Sequence, residues 1–216
     1  ILYYNIYIMR FQIVASSIAL IAALFLFTKK DSKKVKGGFR NNDELLNIYD
    51  EPLKPCGTSS MNSGSWDSEY KCSEKGGGVH QICIKHIAKN AKGFSKKTGQ
   101  SNWSDTRGKD NHCVCLGAWS LYTAQKNKLN NTILKCDAIP KIALSSNYVS
   151  KFSEGWNKWN GLELNNQIKD GVESMVNMCY KGNDSRSQAL KNNYCKFAST
   201  VGVLKKSEMY KKMCIE

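Results

Sequence analysis

Hydrophobic and polar positions divide this chain into three stretches with different periods. From Phe11 to Phe27 (FQIVASSIALIAALFLF) no position is charged, and Lys29, Lys30, Lys33, Lys34 and Lys36 follow at once. A helix apolar all round needs roughly 20 residues to cross a ~30 Å hydrocarbon core. Residues Ile1 to Met9 are also uncharged, so a snorkelling Arg10 can extend the span toward the N-terminus. The pattern predicts a transmembrane helix over 11–27, preceded by a short segment 1–10. A cleaved signal peptide, with its apolar core of roughly 7–15 residues and small-x-small cleavage site, and a buried core helix are the alternatives. The direct passage from Leu24-Phe25-Leu26-Phe27 into lysines favours a retained anchor.

The second stretch has short periods and many breaks. Residues 28–48 are rich in Lys, Asp, Gly and Asn and read as a basic flexible linker. A loop-rich segment with Pro52, Pro55 and Gly76 to Gly78 opens a unit over 49–144. Within it, Val79 to His86 (VHQICIKH) has strand-like content, and Ile87 to Thr98 predicts a short helix closed by Gly99. Cys113 to Cys115 reads as extended. Leu116 to Lys128 predicts a helix with Ala118, Trp119 and Tyr122 facing a core, and Thr132 to Cys136 a short strand before the break at Pro140.

The third stretch, 145–216, is helical. A short helix is expected around 146–152. Leu164, Ile168, Val172, Met175, Val176 and Cys179 then recur at helical spacing, and Leu190, Tyr194 and Phe197 share one side of a helix over Ser187 to Ser199. The predicted fold class is α+β: an N-terminal transmembrane helix, a small Cys-rich α+β domain with short strands, and a helical C-terminal extension.

Charge sets the orientation. The formal net charge is +14, and the excess of Lys after the span places the C-terminal domain on the cytosolic side. Lys29, Lys30, Lys33, Lys34 and Lys36 would rest against anionic headgroups, making the lipid bilayer the first expected partner. No basic stripe interleaved with aromatics is present, so no specific nucleic-acid partner is expected.

Nine cysteines bring in the chemistry: Cys56, Cys72, Cys83, Cys113, Cys115, Cys136, Cys179, Cys195 and Cys214. The density reads as a disulfide framework, with the first eight as candidates and at least one left unpaired in a monomer. Cys179 and Cys195, at facing ends of the helix pair, could be bridged. Cys113 and Cys115, ~6.5 Å apart if extended, are better placed to bond elsewhere than to each other. The alternative is a tetrahedral zinc site on His80, Cys83, Cys113 and Cys115, with His112 in reach, although no Cys-x-x-Cys knuckle occurs. A Cys–His nucleophile is disfavoured because His80 and Cys83, three apart on a strand, point to opposite faces. The triple glycine precedes a strand and lacks the Lys-Ser/Thr of a phosphate loop. No catalytic residue is assigned, and an enzyme is the less favoured reading. Sequons at Asn102, Asn130 and Asn183 keep a lumenal, glycosylated placement open, in conflict with the lysines.

The segments Glu51-Pro52-Leu53-Lys54-Pro55-Cys56, Gly78-Val79-His80-Gln81-Ile82-Cys83, Gly93-Phe94-Ser95-Lys96 with Gly99, and His112-Cys113-Val114-Cys115 with Trp119 resemble an uncharacterised family of bacteria and algae, domain-of-unknown-function family 2237. The resemblance covers about residues 49 to 144. It departs from the family in the anchor, the helical C-terminus and a missing double cysteine near Cys72. The wording of GQSNWSD and CVCLGAWSLY is similar to forms carried by algae and their large DNA viruses. The resemblance implies a domain but no reaction. In a virus of that kind the cytosolic face of an internal membrane meets the shell, which would make this a minor capsid component, with capsid proteins as partners and disulfides formed outside the secretory pathway.

Overall fold

Isoleucines on either side of Cys83 form the first strand. The computed structural model describes residues 46–58, 67–72, 80–108, 110–125, 132–145 and 164–216. Strand β1 (Ile82–Ile84) pairs antiparallel with β2 (His112–Val114), in the register Ile82 to Val114, Cys83 to Cys113 and Ile84 to His112. β1 is shorter than the strand expected over 79–86, and β2 starts one residue before the extended segment expected over 113–115. The strand expected at Thr132–Cys136 is reduced to a single bridge between Leu134 and Ile84. Two hydrogen bonds hold it, Lys85 N–H to the Ile133 carbonyl and Lys135 N–H to the Cys83 carbonyl, before the chain tightens into a 3-10 turn at Cys136–Ala138.

The helix expected over 87–98 is two helices, α1 (Ile87–Asn90) and α2 (Phe94–Lys97). Gly93 between them has φ +68°, a left-handed conformation that interrupts a right-handed helix and suits a residue without Cβ. Its N–H donates to Asp105 Oδ1 at 2.8 Å. Helix α3 (Leu116–Ala124) follows β2 directly and is buried from Leu116 to Tyr122. Such a helix is apolar on every side because it has neighbours on every side.

One of those neighbours is α4 (Leu164–Cys179), whose Ile168, Val172, Met175, Val176 and Cys179 are buried as the periodic stripe predicts. The two helices approach closely at Gly171: the Trp119 indole N–H donates to the Gly171 carbonyl at 2.9 Å. A Cβ on Gly171 would sit 2.7 Å from Ser120 Cα. Helix α5 (Ser185–Ala198) begins two residues before the expected start because Asp184 caps it, accepting the Ser187 N–H at 2.9 Å. Leu190, Tyr194 and Phe197 are buried as expected. Short helices α6 (Gly202–Lys205) and α7 (Glu208–Tyr210) lead to a wide turn over Lys211–Ile215.

The α+β class therefore holds for the described residues, and two boundaries shift. The expected linker ended at 48, yet Leu46 bridges Pro52, Asn47 bridges Pro140, and Asn47 and Ile48 are fully buried. The domain has begun by Leu46. The C-terminal helices are also no extension. One hydrophobic core takes in Ile84, Trp119, Val172 and Tyr194 together, the Tyr49 hydroxyl donates to the Cys179 carbonyl at 2.8 Å, and the Asn193 amide donates to the Ile48 carbonyl. An apolar stripe needs a partner surface, and α3 supplies it.

The helix expected over 11–27, the lysines after it and the helix expected around 146–152 lie outside the described residues. Among the described residues no helix is long and apolar enough to cross a membrane.

Candidate functional site

The cysteines converge on the strand pair. In I-C-I and H-C-V, period 2 turns Cys83 and Cys113 to the face opposite their neighbours, and the register sets the two side by side. Each bonds a cysteine from a flanking loop: Cys56 to Cys83, with Cα atoms 5.7 Å apart, and Cys72 to Cys113, at 5.4 Å. The loops are tied by the Cys56 N–H, which donates to the Tyr70 carbonyl at 2.9 Å, and by the Asn111 amide, which donates to the Cys56 carbonyl at 2.8 Å. The result is a separate buried cluster of Cys56, Cys72, Cys83, Cys113 and Ala138. Within it the sulfurs of Cys56, Cys72 and Cys113 lie within 4.8 Å of one another. The two disulfides are stacked.

Two further disulfides join the rest. Cys136 bonds Cys179, tying the 3-10 turn after the bridge to the end of α4, and Cys195 bonds Cys214, fastening the C-terminal turn to α5. The pairing suggested for Cys179 with Cys195 does not form, because each faces a different neighbour. Cys115, a disulfide candidate, is the free cysteine. The chain leaves β2 at that residue and its sulfur caps α3, accepting the Ala118 N–H at 3.4 Å. Burial pushes this thiol up to about 11, so it stays protonated near neutral pH and is a poor nucleophile. Cys214, outside the eight expected disulfide cysteines, is bonded to Cys195. The signal that could have found it is Ser207, which accepts the Tyr210 N–H and restarts a helix there.

The alternative metal set does not assemble. Cys83 and Cys113 belong to different disulfides, Cys115 caps a helix, and His112 is buried with its ring 4.6 Å from that of Trp103. Burial lowers the pKa of His80, whose Nδ1 is enclosed without a hydrogen-bond partner among the described residues. Among the described residues, the ligating atoms grouped closely enough for one ion belong to Cys56, Cys72 and Cys113.

Elsewhere, an open recess of about 400 Å³ is bordered by Lys97, Thr98, Leu121, Gln125 and Gln167. Ser95 and Ser104 form a buried hydroxyl pair at 3.0 Å that locks α2 to the following 3-10 turn. The sequon residues Asn102 and Asn183 are exposed, and Asn130 lies outside the described residues. Lysines 29 to 36 likewise lie outside them. Comparison with protein-family models, with curated proteins and with solved structures returns no match.

Proposed function

We propose that this chain is a membrane-anchored structural or interaction protein that displays a disulfide-stapled domain close to a bilayer. The observation that carries the reading is the charge-free run Phe11 to Phe27 followed by five lysines. That order suits a helix in hydrocarbon with a cationic collar at the headgroups, where each lysine contributes about 1 kcal/mol. The packed domain begins by Leu46, so residues 28–45 are all that separates it from the end of the run.

The motifs similar to domain-of-unknown-function family 2237 and its viral forms extend the proposal to a minor capsid component between an internal membrane and its shell. Four disulfides suit a part that must hold its shape after assembly. Flotation of the full chain with anionic vesicles tests the anchor. The full chain is expected to rise with lipid and a chain lacking residues 1–27 to stay behind; equal recovery from the aqueous fraction would remove the reading. Cross-linking in assembled particles tests the partner, with capsid proteins expected as neighbours.

A further inference from the structure

We propose that the stacked disulfides are one state of a convertible thiolate site, whose other state holds a single zinc ion on Cys56, Cys72, Cys83 and Cys113. The inference stands apart from the membrane reading, because it needs only the cluster. Four sulfurs arrive there from four chain positions, two on adjacent strands and two on the loops that cover them. None of the four residues has any exposed surface.

A tetrahedral zinc with Zn–S bonds of ~2.3 Å needs sulfurs roughly 3.8 Å apart. The sulfurs of Cys56, Cys72 and Cys113 are already within 4.8 Å of one another, and the sulfur of Cys83 is bonded to that of Cys56. The Cys83 sulfur lies outside that group of three and has furthest to move, the other unbonded sulfurs need to close by about 1 Å, and the bonded pairs must open. Side-chain rotation supplies both movements without changing the strand register. The set differs from the expected His80, Cys83, Cys113 and Cys115 in drawing on both loops, which no short spacing motif reveals.

A cation stands beside the loop that carries Cys56. Four thiolates around one Zn²⁺ carry a net charge of two minus, which burial penalises unless cations stand near. Lys135 is placed for this: its ammonium donates to the Pro55 carbonyl at 2.6 Å, next to Cys56, and its backbone N–H donates to the Cys83 carbonyl at 3.0 Å. The conversion needs a dithiol reductant. Each protein disulfide accepts two electrons and two protons from one dithiol, which leaves as its own disulfide. The four resulting thiols then lose four protons as Zn²⁺ binds.

The test uses the full chain, reduced with excess dithiol, desalted without oxygen and titrated with Co²⁺ as a visible stand-in for zinc. The charge-transfer and d–d bands of a tetrahedral thiolate complex are expected to saturate at one equivalent and to vanish when Zn²⁺ is added. In the same wild-type chain, adding zinc should newly protect Cys56, Cys72, Cys83 and Cys113 from alkylation while the part-exposed Cys136, Cys195 and Cys214 remain open. The C136S/C179S variant should retain the one-equivalent cobalt signal, and C72S/C113S should lose it. A reduced chain that takes up no cobalt, or protection that falls on other cysteines, overturns the site. Should C72S/C113S fail to fold, the alkylation map of the wild-type chain decides alone.

Discussion

Between Leu46 and Cys115 the longest described regular element has four residues, whereas between Leu164 and Ala198 two helices run for sixteen and fourteen. The long helices repeat a favourable step many times after one costly nucleation, and α4 buries its stripe against α3. Elements of three or four residues cannot recover that cost, because each ordered residue forfeits about 1–2 kcal/mol of backbone entropy. The first region instead has its unfolded state restricted by Cys56–Cys83 and Cys72–Cys113, which close sequence separations of 27 and 41. On loop-closure entropy each is worth about 3–4 kcal/mol. Near Cys83 covalent restraint stands without helical periodicity, whereas α4 and α5 have that periodicity in addition to Cys136–Cys179 and Cys195–Cys214.

The largest expected effect breaks that contrast directly. Replacing Cys83 and Cys113 together by Ser removes both stacked bonds, and amide exchange should accelerate over 46–115 well before it does in α4 and α5. Simultaneous loss of protection in both regions would show that they do not draw on separate sources of order. Next comes the seam where the regions meet. Trp119→Ala opens a cavity and removes the indole bond to the Gly171 carbonyl, so chemical denaturation should show a loss of about 3–5 kcal/mol, with both regions loosening together.

Gly171→Ala asks how rigid the seam is, since its Cβ would meet the Ser120 backbone at 2.7 Å. A loss of about 1–3 kcal/mol is expected for such overpacking; an unchanged unfolding midpoint would mean that α3 and α4 slide apart freely. The smallest effect belongs to the helical region alone. The Ser187 N–H holds the Asp184 carboxyl below its ordinary value of 3.8. A carboxyl depressed in the folded state adds stability above its unfolded value and loses it as pH falls through the folded one. Asp184→Ala should therefore lower the melting temperature slightly at neutral pH and flatten the acid limb of the stability curve.

Legibility in the sequence followed the same division. The stripe from Ile168 to Cys179 announced α4, and Leu190, Tyr194 and Phe197 announced the buried side of α5, because a helix repeats its own period and needs no distant residue to be recognised. Over Ile87 to Thr98 the pattern predicts a single helix because Gly93, at φ +68°, looks in sequence like any tolerated glycine. At the candidate site, alternation around Cys83 and Cys113 was readable, but their partners were not. Cys56 and Cys72 lie on loops without a period, and Cys214 sits in a short terminal turn whose only local sign is the cap at Ser207.

The sequence by itself determined the charge-free run with its lysine collar, the abundance of thiols, and the helical face that had to be buried. Only the tertiary structure decided which thiols pair, that Cys115 caps a helix instead, and that α4 and α5 share one core with Trp119. The physical reason is range. Hydrophobic period and charge order are properties of neighbours along the chain. Disulfide partners depend on which distant segments the fold brings within a few ångströms, and that is settled by strand register and by loops whose own sequence carries no repeating signal.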